Sequence, residues 1–278
     1  MSTLKFGFIL PNGDARTAAN LAQEAEQAGW DGFFVPEAPW HVDAWVSLAA
    51  AAMCTQHIRL GTMLTPLPRM KPWKLASETA TLDNLSNGRV ILSLGLGALF
   101  MGYQAFPDEI TDTKTRAELL DEGIDILTLL YQGKPFDYDG RHYHIKLTAM
   151  DAQYYPPRPV QQPRIPLWVV GAWPRMKAIQ RVLRCDGLIP EKWSTAGQPT
   201  ALQPEDVRQM KKYIDDNRTL TTPFDIIMQG NTLVQSHAQL VDTLSSWMDA
   251  GATWWLEALY GVPHEQVVTR LRQGPPIL

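Results

Sequence analysis

The chain has 278 residues, of which 45% are apolar and 19% are charged, and its formal net charge is −4. This near balance of 25 basic and 29 acidic residues argues against a nucleic-acid-binding surface. The sequence contains no run of about 18 apolar residues that would predict a membrane-spanning helix, and its first residues lack the pattern of a signal peptide. We therefore expect a cytoplasmic globular protein that acts on small molecules.

Strands and helices are predicted to alternate from the start of the chain. The apolar run 4–10 is typical of a parallel strand that is buried on both faces. Residues 15–28 have the apolar spacing of a helix, and Gly29 ends it. A second strand over 32–35 and an Ala-rich second helix over 43–55 follow.

Residues 58–97 form the central predicted unit, IRLGTMLTPLPRMKPWKLASETATLDNLSNGRVILSLGLG. A strand over 58–64, a helix over 71–85 and a strand over 90–94 fit its apolar spacing and turn residues. Two parallel strands joined by a helix place the loops that follow them at the same edge of the sheet. These two loops are therefore expected to contribute to one site.

The second half of the chain contains a predicted insertion before the alternation resumes. A helix over 113–131 precedes residues 134–164, where a hairpin around Asp139-Gly140 and a Pro-rich segment are expected to cover part of a barrel mouth. The remaining predicted strands are 166–170, 186–189, 224–229 and 253–256, and the remaining helices are 174–184, 204–217, 236–250 and 263–273.

Eight strands and eight helices predict one (β/α)8 barrel domain over residues 1–278. An open, doubly wound sheet is the alternative fold. It is disfavoured because the first strand is followed by Pro11-Asn12-Gly13-Asp14 and not by the glycine-rich turn of a dinucleotide-binding fold.

Several common chemistries are not favoured by the sequence. His142 and His144 are the only closely spaced histidines, and their place in the predicted hairpin indicates packing or solvation and no metal site. No G-x-S-x-G motif is present, and Ser93 is interpreted as an inward-facing barrel residue and not as a nucleophile. Cys54 and Cys185 lie in apolar contexts and are predicted to be buried thiols.

The predicted strand ends favour a site for a broad flat ring with a phosphate tail. Gly95 and Gly97 follow the fourth strand and offer bare backbone. Gly171-Ala172-Trp173, before Pro174, is interpreted as a turn at a helix N-terminus that could hold the phosphate, with Arg175 or Lys177 nearby. Tryptophans at strand ends are expected to shape the substrate space: Trp40, Trp173, Trp193 and Trp254.

The chain resembles the luciferase-like monooxygenase family through AEQAGWDGFFVPE (25–37), the whole 58–97 unit, ELLDEGIDILTLLYQG (118–133) and IPLWVVGAWP with CDGLIP (165–190). The resemblance implies a (β/α)8 barrel that binds FMN or, alternatively, the deazaflavin F420. It further implies a non-prolyl cis peptide at Thr62–Met63 behind the ring, a loop over 95–99 beside it, and phosphate binding at residues 171–173.

One departure from this family concerns the candidate acid or base. Relatives place a histidine directly after the acid that ends the second strand, whereas here Glu37 is followed by Ala38-Pro39 and His41 lies further along. Glu37 and His41 are therefore the candidate catalytic residues. The alternative for Glu37 is a structural carboxylate that accepts hydrogen bonds from loop N–H groups.

These observations lead to one main hypothesis and two alternatives. The main hypothesis is a flavin-dependent oxidoreductase that acts on a small organic substrate, draws electrons from NAD(P)H or a flavin reductase, and forms a homodimer through the helix over 44–53. A non-catalytic flavin-binding barrel is the first alternative. A barrel enzyme of another chemistry, such as a phosphosugar lyase or isomerase, is the second.

Overall fold

Eight parallel strands close into a barrel in the computed structural model, which describes residues 4–155, 157–233 and 235–277. The barrel strands are β1 (Lys5–Ile9), β2 (Gly32–Val35), β3 (Arg59–Thr62), β5 (Val90–Gly95), β8 (Leu167–Trp173), β9 (Gly187–Trp193), β11 (Asp225–Gly230) and β12 (Trp254–Ala258). The short strands are β4 (Thr65–Pro66), β6 (Asp137–Asp139), β7 (His144–Lys146) and β10 (Pro199–Thr200). Each barrel strand pairs in parallel with both neighbours, and β1 pairs with β12 to close the ring.

Helices surround this barrel and confirm the predicted alternation. They are α1 (Ala15–Gln27), α2 (Ala44–Cys54), α3 (Pro72–Leu85), α4 (Thr113–Tyr131), α5 (Met176–Val182), α6 (Pro204–Asn217), α7 (His237–Asp249) and α8 (His264–Arg272). The predicted (β/α)8 fold is correct, and the bounds of α4 and α6 match the prediction at both ends. No helix in the described part of the chain is both long and apolar enough to cross a bilayer.

Local capping chemistry explains why several helices begin where they do. The side chains of Asp14, Asp43 and Asp112 accept hydrogen bonds from the third backbone N–H of α1, α2 and α4. Such an N-cap satisfies one of the donors that a helix leaves unpaired, and replacing it with alanine costs about 1 kcal/mol. These starts can be read from the sequence because the capping residue and its helix are adjacent.

The barrel interior is filled by a few large aromatic side chains packed against glycines. Trp168 and Trp254 are fully buried with ring centroids 5.3 Å apart, and Phe34 stacks on Trp168 at 5.5 Å. Gly61 makes room for this packing, since a Cβ there would lie 2.4 Å from the Ile91 carbonyl oxygen and 3.0 Å from the Phe34 ring. A small inward residue on one strand thus permits a large one on the next.

Trp254 does not shape the substrate space, contrary to the prediction. It pairs in register with Lys5 at the amino end of β12, and its side chain is 1% exposed inside the barrel. The prediction failed because Trp254 is the first residue of β12, and the amino end of a parallel barrel strand lies opposite the mouth.

Cys54 is exposed, which corrects the prediction of two buried thiols, whereas Cys185 is buried. The helix α2 is apolar on all sides, AWVSLAAAAMC, so its sequence does not reveal which face packs on the barrel. Trp45, Leu48 and Ala52 turn inward, and Cys54 lies on the outer side.

The insertion over 134–164 packs on the outside and at the amino end of the barrel. The Glu122 carboxylate on α4 accepts hydrogen bonds from the backbone N–H groups of residues 141–143, which turn between β6 and β7. Further along, Gln161 donates to Asp83 at the end of α3. Among the described insertion residues, no hydrogen bond reaches a loop at the carboxyl ends of the strands, so a cover over the mouth stays a prediction.

Candidate active site at the carboxyl ends of the barrel strands

Small apolar residues form the inner surface at the carboxyl ends of the strands. Val170 and Ala258 pack on the inner barrel cluster and are only partly buried. Ala172 is also partly exposed and, two residues after Val170, points to the same side of β8. Together these three residues form a shallow apolar floor that a flat ring could cover.

Gly95 and Gly97, predicted to leave backbone bare for a ring, instead accommodate neighbouring protein side chains. A Cβ on Gly95 would lie 2.7 Å from Leu64 Cδ1, and one on Gly97 would lie 2.8 Å from Pro66 Cβ. Gly97 also has a φ of +77°, which favours glycine. Packing against the loop after β3 therefore explains both glycines without a cofactor, and their contact with a flavin-type ring stays a prediction.

The non-prolyl cis peptide lies at Met63–Leu64, one residue beyond the predicted Thr62–Met63. Met63 is buried and its side chain joins the inner barrel cluster, so this residue does lie beneath the mouth. Thr62 is fully buried and faces away from the barrel axis, since it alternates with Gly61 and Met63. Its hydroxyl therefore belongs to a polar cluster behind the strand.

Residues 171–173 belong to a strand and do not form the predicted turn at a helix N-terminus. β8 continues through Trp173 and pairs with residues 190–192 of β9. A Cβ on Gly171 would meet Leu188 and Val182, so this glycine faces the outer helix layer. Helix α5 begins only at Met176 and has seven residues. The phosphate site as reasoned from a bare turn is thus not formed, and of these three residues Ala172 faces the mouth.

Glu37 lies at the end of β2 in a chain of hydroxyl groups. Its Oε2 accepts a 2.6 Å hydrogen bond from Thr65 Oγ1, which lies 2.8 Å from Thr62 Oγ1. Thr62 Oγ1 in turn is 3.4 Å from the carbonyl oxygen of Ser93. Each hydroxyl carries one proton, so rotating the two threonine hydroxyls satisfies Glu37 in either protonation state.

Burial raises the pKa of Glu37 from 4.5 to about 7, and the nearby acids Asp43 and Glu78 add to this increase. The hydrogen bond from Thr65 opposes it, because it stabilises the ionised form. A carboxyl group with a pKa near 7 can hold or release a proton at neutral pH, which suits an acid or base. The alternative of a carboxylate held by loop N–H groups is not what the described contacts show, since the donor is a hydroxyl.

His41 follows on the same loop, where its backbone N–H donates to the Ala38 carbonyl. Its Nδ1 is buried and has no hydrogen-bond partner among the described residues. No hydrogen bond joins His41 to Glu37 in this part of the chain. The structure therefore places both predicted candidates on the loop after β2 but does not pair them.

Three supporting residues were not identified from the sequence: Tyr103, Arg69 and Arg116. The Tyr103 hydroxyl donates to the Glu37 carbonyl oxygen at 3.0 Å, and the Arg69 guanidinium lies 3.8 Å above the Tyr103 ring. Arg116 at the start of α4 donates to the carbonyl oxygens of Leu96 and Gly97. No local sequence motif predicts these contacts, because they join loops that are far apart in sequence.

The histidines of the insertion are used within it. His142 bonds the Glu118 carboxylate at 2.9 Å, and His144 bonds Asp139 at 2.6 Å. Among the residues that the structure describes, no group of three or more histidine, cysteine or acidic side chains is arranged to hold a metal ion.

Comparisons with known proteins agree with this architecture. The sequence model of the luciferase-like monooxygenase family matches residues 4–265. A protein of Mycobacterium tuberculosis, named as a candidate coenzyme F420-dependent oxidoreductase, is 33% identical over 182 residues, which are 62% of this chain. The match spans 50% of that protein's length.

Two solved structures share the fold at low sequence identity. The monooxygenase RslO1 from Streptomyces bottropensis superimposes with a TM-score of 0.78 at 18% identity, covering 97% of each chain. The coenzyme F420-dependent tetrahydromethanopterin reductase from Methanopyrus kandleri superimposes with a TM-score of 0.73 at 17% identity, covering 98% of each chain. With the family match over almost the whole length, the chain belongs to the luciferase-like monooxygenase family.

Proposed function

We propose that this protein is an oxidoreductase that binds a flavin-type cofactor over the apolar floor and acts on a small organic substrate. The observation that carries the proposal is the floor itself: partly exposed Val170, Ala172 and Ala258 at the carboxyl ends of a barrel of this family. Sites in (β/α)8 barrels lie at this end. When bound there, the cofactor would supply the hydride or oxygen chemistry, and the protein would supply orientation and proton handling.

F420 is the cofactor we favour, with FMN as the alternative. The relative from M. tuberculosis and the reductase from M. kandleri are both named for F420. FMN would additionally need reduction by NAD(P)H or a partner reductase. Cytoplasmic location is part of the same proposal.

Glu37 is the residue we propose to exchange a proton with the reacting groups. Its pKa of about 7 lets the protonated and ionised forms coexist at neutral pH. Thr65 and Thr62 can rotate their hydroxyls when Glu37 gains or loses a proton, so the hydrogen bond between Glu37 and Thr65 is kept in both forms. His41, with an unpartnered Nδ1, is the second candidate.

Cofactor titration tests this function directly. The purified protein is titrated separately with F420 and FMN, and binding is followed by the absorbance and fluorescence of each cofactor. The variant Ala172→Trp fills the floor and is expected to weaken binding at least tenfold, whereas Ala238→Trp, on the exposed first turn of α7, leaves it unchanged. Failure of the wild-type protein to bind either cofactor would contradict the proposal and favour a barrel enzyme of another chemistry.

A homodimer formed through α2 is also proposed. This helix has no charged residue, and its outer side shows Val46 at 63% and Met53 at 68% exposure, with Ala49 and Ala50 between them. Such an uncharged, nearly flat face suits an isologous contact with a second copy. We expect Val46→Glu with Met53→Glu to sediment as a monomer, and a wild-type protein that is already monomeric would refute the contact.

A further inference from the structure

Five large apolar side chains are exposed at the same end of the barrel as the floor. They lie on the loops that follow β2 and β5, and we term them the rim cluster: Trp40, Phe100, Met101, Phe106 and Ile110. Trp40 is 78% exposed and Phe100 is 82% exposed. Single exposed apolar residues are ordinary, but a group of them on two neighbouring loops is typical of a binding site. Neither the cofactor nor the proposed dimer contact on α2 accounts for it.

Contacts between the loops after β2 and β5 hold the Trp40 and Phe106 rings in place. The Trp40 indole stacks on the Phe106 ring with centroids 5.2 Å apart and planes 25° from parallel. Trp40 has a φ of +66°, a region that bulky residues rarely adopt. Gly102 leaves room for the indole, since a Cβ there would lie 2.9 Å from Trp40 Nε1. A loosely held surface residue would not need these arrangements.

The charges around the rim cluster disfavour anionic ligands. The segments 36–43 and 96–112 contain no lysine or arginine but five acids: Glu37, Asp43, Asp108, Glu109 and Asp112. The hydrogen bonds that Asp43 and Asp112 accept as helix caps leave their charges in place, and Glu109 pairs with Arg69. The cluster therefore presents flat aromatic faces in surroundings that repel negative charge.

We infer that the rim cluster selects a planar aromatic substrate without negative charge, which lies against the Trp40–Phe106 pair. The inference rests on the proposed function, because it names the substrate class of that same site. Aromatic rings gain from offset or edge-to-face contact with one another beyond simple burial. A saturated molecule of equal size fills the same space without that gain.

Binding of four matched probes tests the inference: 2-naphthol, 2-naphthoate, 2-naphthylmethylammonium and decahydro-2-naphthol. Binding of each to the full chain is measured by equilibrium dialysis, with and without the cofactor. We expect 2-naphthol and 2-naphthylmethylammonium to bind at least tenfold more tightly than 2-naphthoate, and 2-naphthol to bind about threefold to tenfold more tightly than the saturated alcohol. Binding of 2-naphthoate or of the saturated alcohol as tight as that of 2-naphthol would overturn the inference.

Variants then locate the site. Trp40→Ala and Phe106→Ala should each weaken 2-naphthol binding about threefold to tenfold. The double variant should lose little more than one single variant, because either change breaks the same stack. The matched control Trp73→Ala removes an indole that is 48% exposed on α3, and it should leave binding unchanged.

The outcomes separate this inference from the proposed function. A protein that binds F420 or FMN but does not discriminate among the four probes overturns the inference alone. A protein that selects 2-naphthol but binds neither cofactor overturns the proposed function alone. If Trp40→Ala leaves 2-naphthol binding intact and instead lowers the sedimentation coefficient, the rim cluster is a contact between copies and the inference fails.

Discussion

Replacing Glu37 with glutamine tests whether the candidate acid is as strongly perturbed as its surroundings imply. Glutamine keeps the shape and an oxygen that accepts the Thr65 hydroxyl, but it cannot ionise. The pKa of Glu37 rises from 4.5 to about 7 in the folded protein. At about 1.4 kcal/mol per tenfold change in an equilibrium constant, this difference corresponds to roughly 3 kcal/mol of folding free energy.

The direction in which stability changes with pH follows from the raised pKa of Glu37. A carboxyl group whose folded pKa is raised favours the folded state only while neutral, so its contribution is intact below about pH 4.5 and is lost as the pH rises through 7. Wild-type protein should therefore lose stability between pH 5 and 8.5 relative to Glu37→Gln, by about 2 to 3 kcal/mol.

Urea denaturation of both proteins at pH 5 and pH 8.5 measures this difference. Asp108→Asn, at an exposed carboxylate on the neighbouring loop, is the control and should follow wild type at both pH values. If the gap between Glu37→Gln and wild type stays constant within about 0.5 kcal/mol across this range, Glu37 ionises normally and the reasoning about its burial is wrong.

Two further predictions concern the barrel and the insertion. Gly61→Ala places a Cβ 2.4 Å from the Ile91 backbone oxygen, which cannot move aside without disturbing β5. Thermal and urea denaturation should therefore show a loss of about 1 to 3 kcal/mol in the free energy of unfolding. Unchanged stability would show that the barrel relaxes freely around the added methyl group. Glu122→Ala removes the acceptor of three backbone N–H groups, so amide exchange of residues 141–143 should accelerate while α4 stays protected. Unaltered exchange in that turn would mean that the Glu122 contacts do not hold the hairpin.

The candidate site shows where reasoning from sequence succeeds and where it stops. Ser93 was predicted to face inward, and it lies two residues after inward-facing Ile91, on the same face of β5. Glu37 was proposed as a candidate because it lies just after an apolar strand, and its role stays a prediction. The partners that set its pKa, among them Thr65 and Glu78, come from other segments, and nothing in the local sequence announces them.

Glycine is the clearest case of a residue whose role depends on distant neighbours. Gly95 and Gly171 were both interpreted as bare backbone for a cofactor, yet Leu64 and Leu188 fill the space beside them. A glycine in the sequence indicates only that some neighbouring group approaches the backbone closely. Whether that neighbour is a ligand or another strand is decided by packing.

The sequence by itself determined the order of strands and helices, and hence the eightfold barrel. Apolar periodicity, helix caps and turn residues involve only a few neighbouring positions, so the local sequence of each element predicts its conformation. Only the tertiary structure decided which residues share the mouth, that β8 runs on through Trp173, and that Glu37 is buried enough to hold a proton near neutral pH. Those properties arise from contacts and desolvation between segments far apart in the chain, and such interactions leave no local pattern.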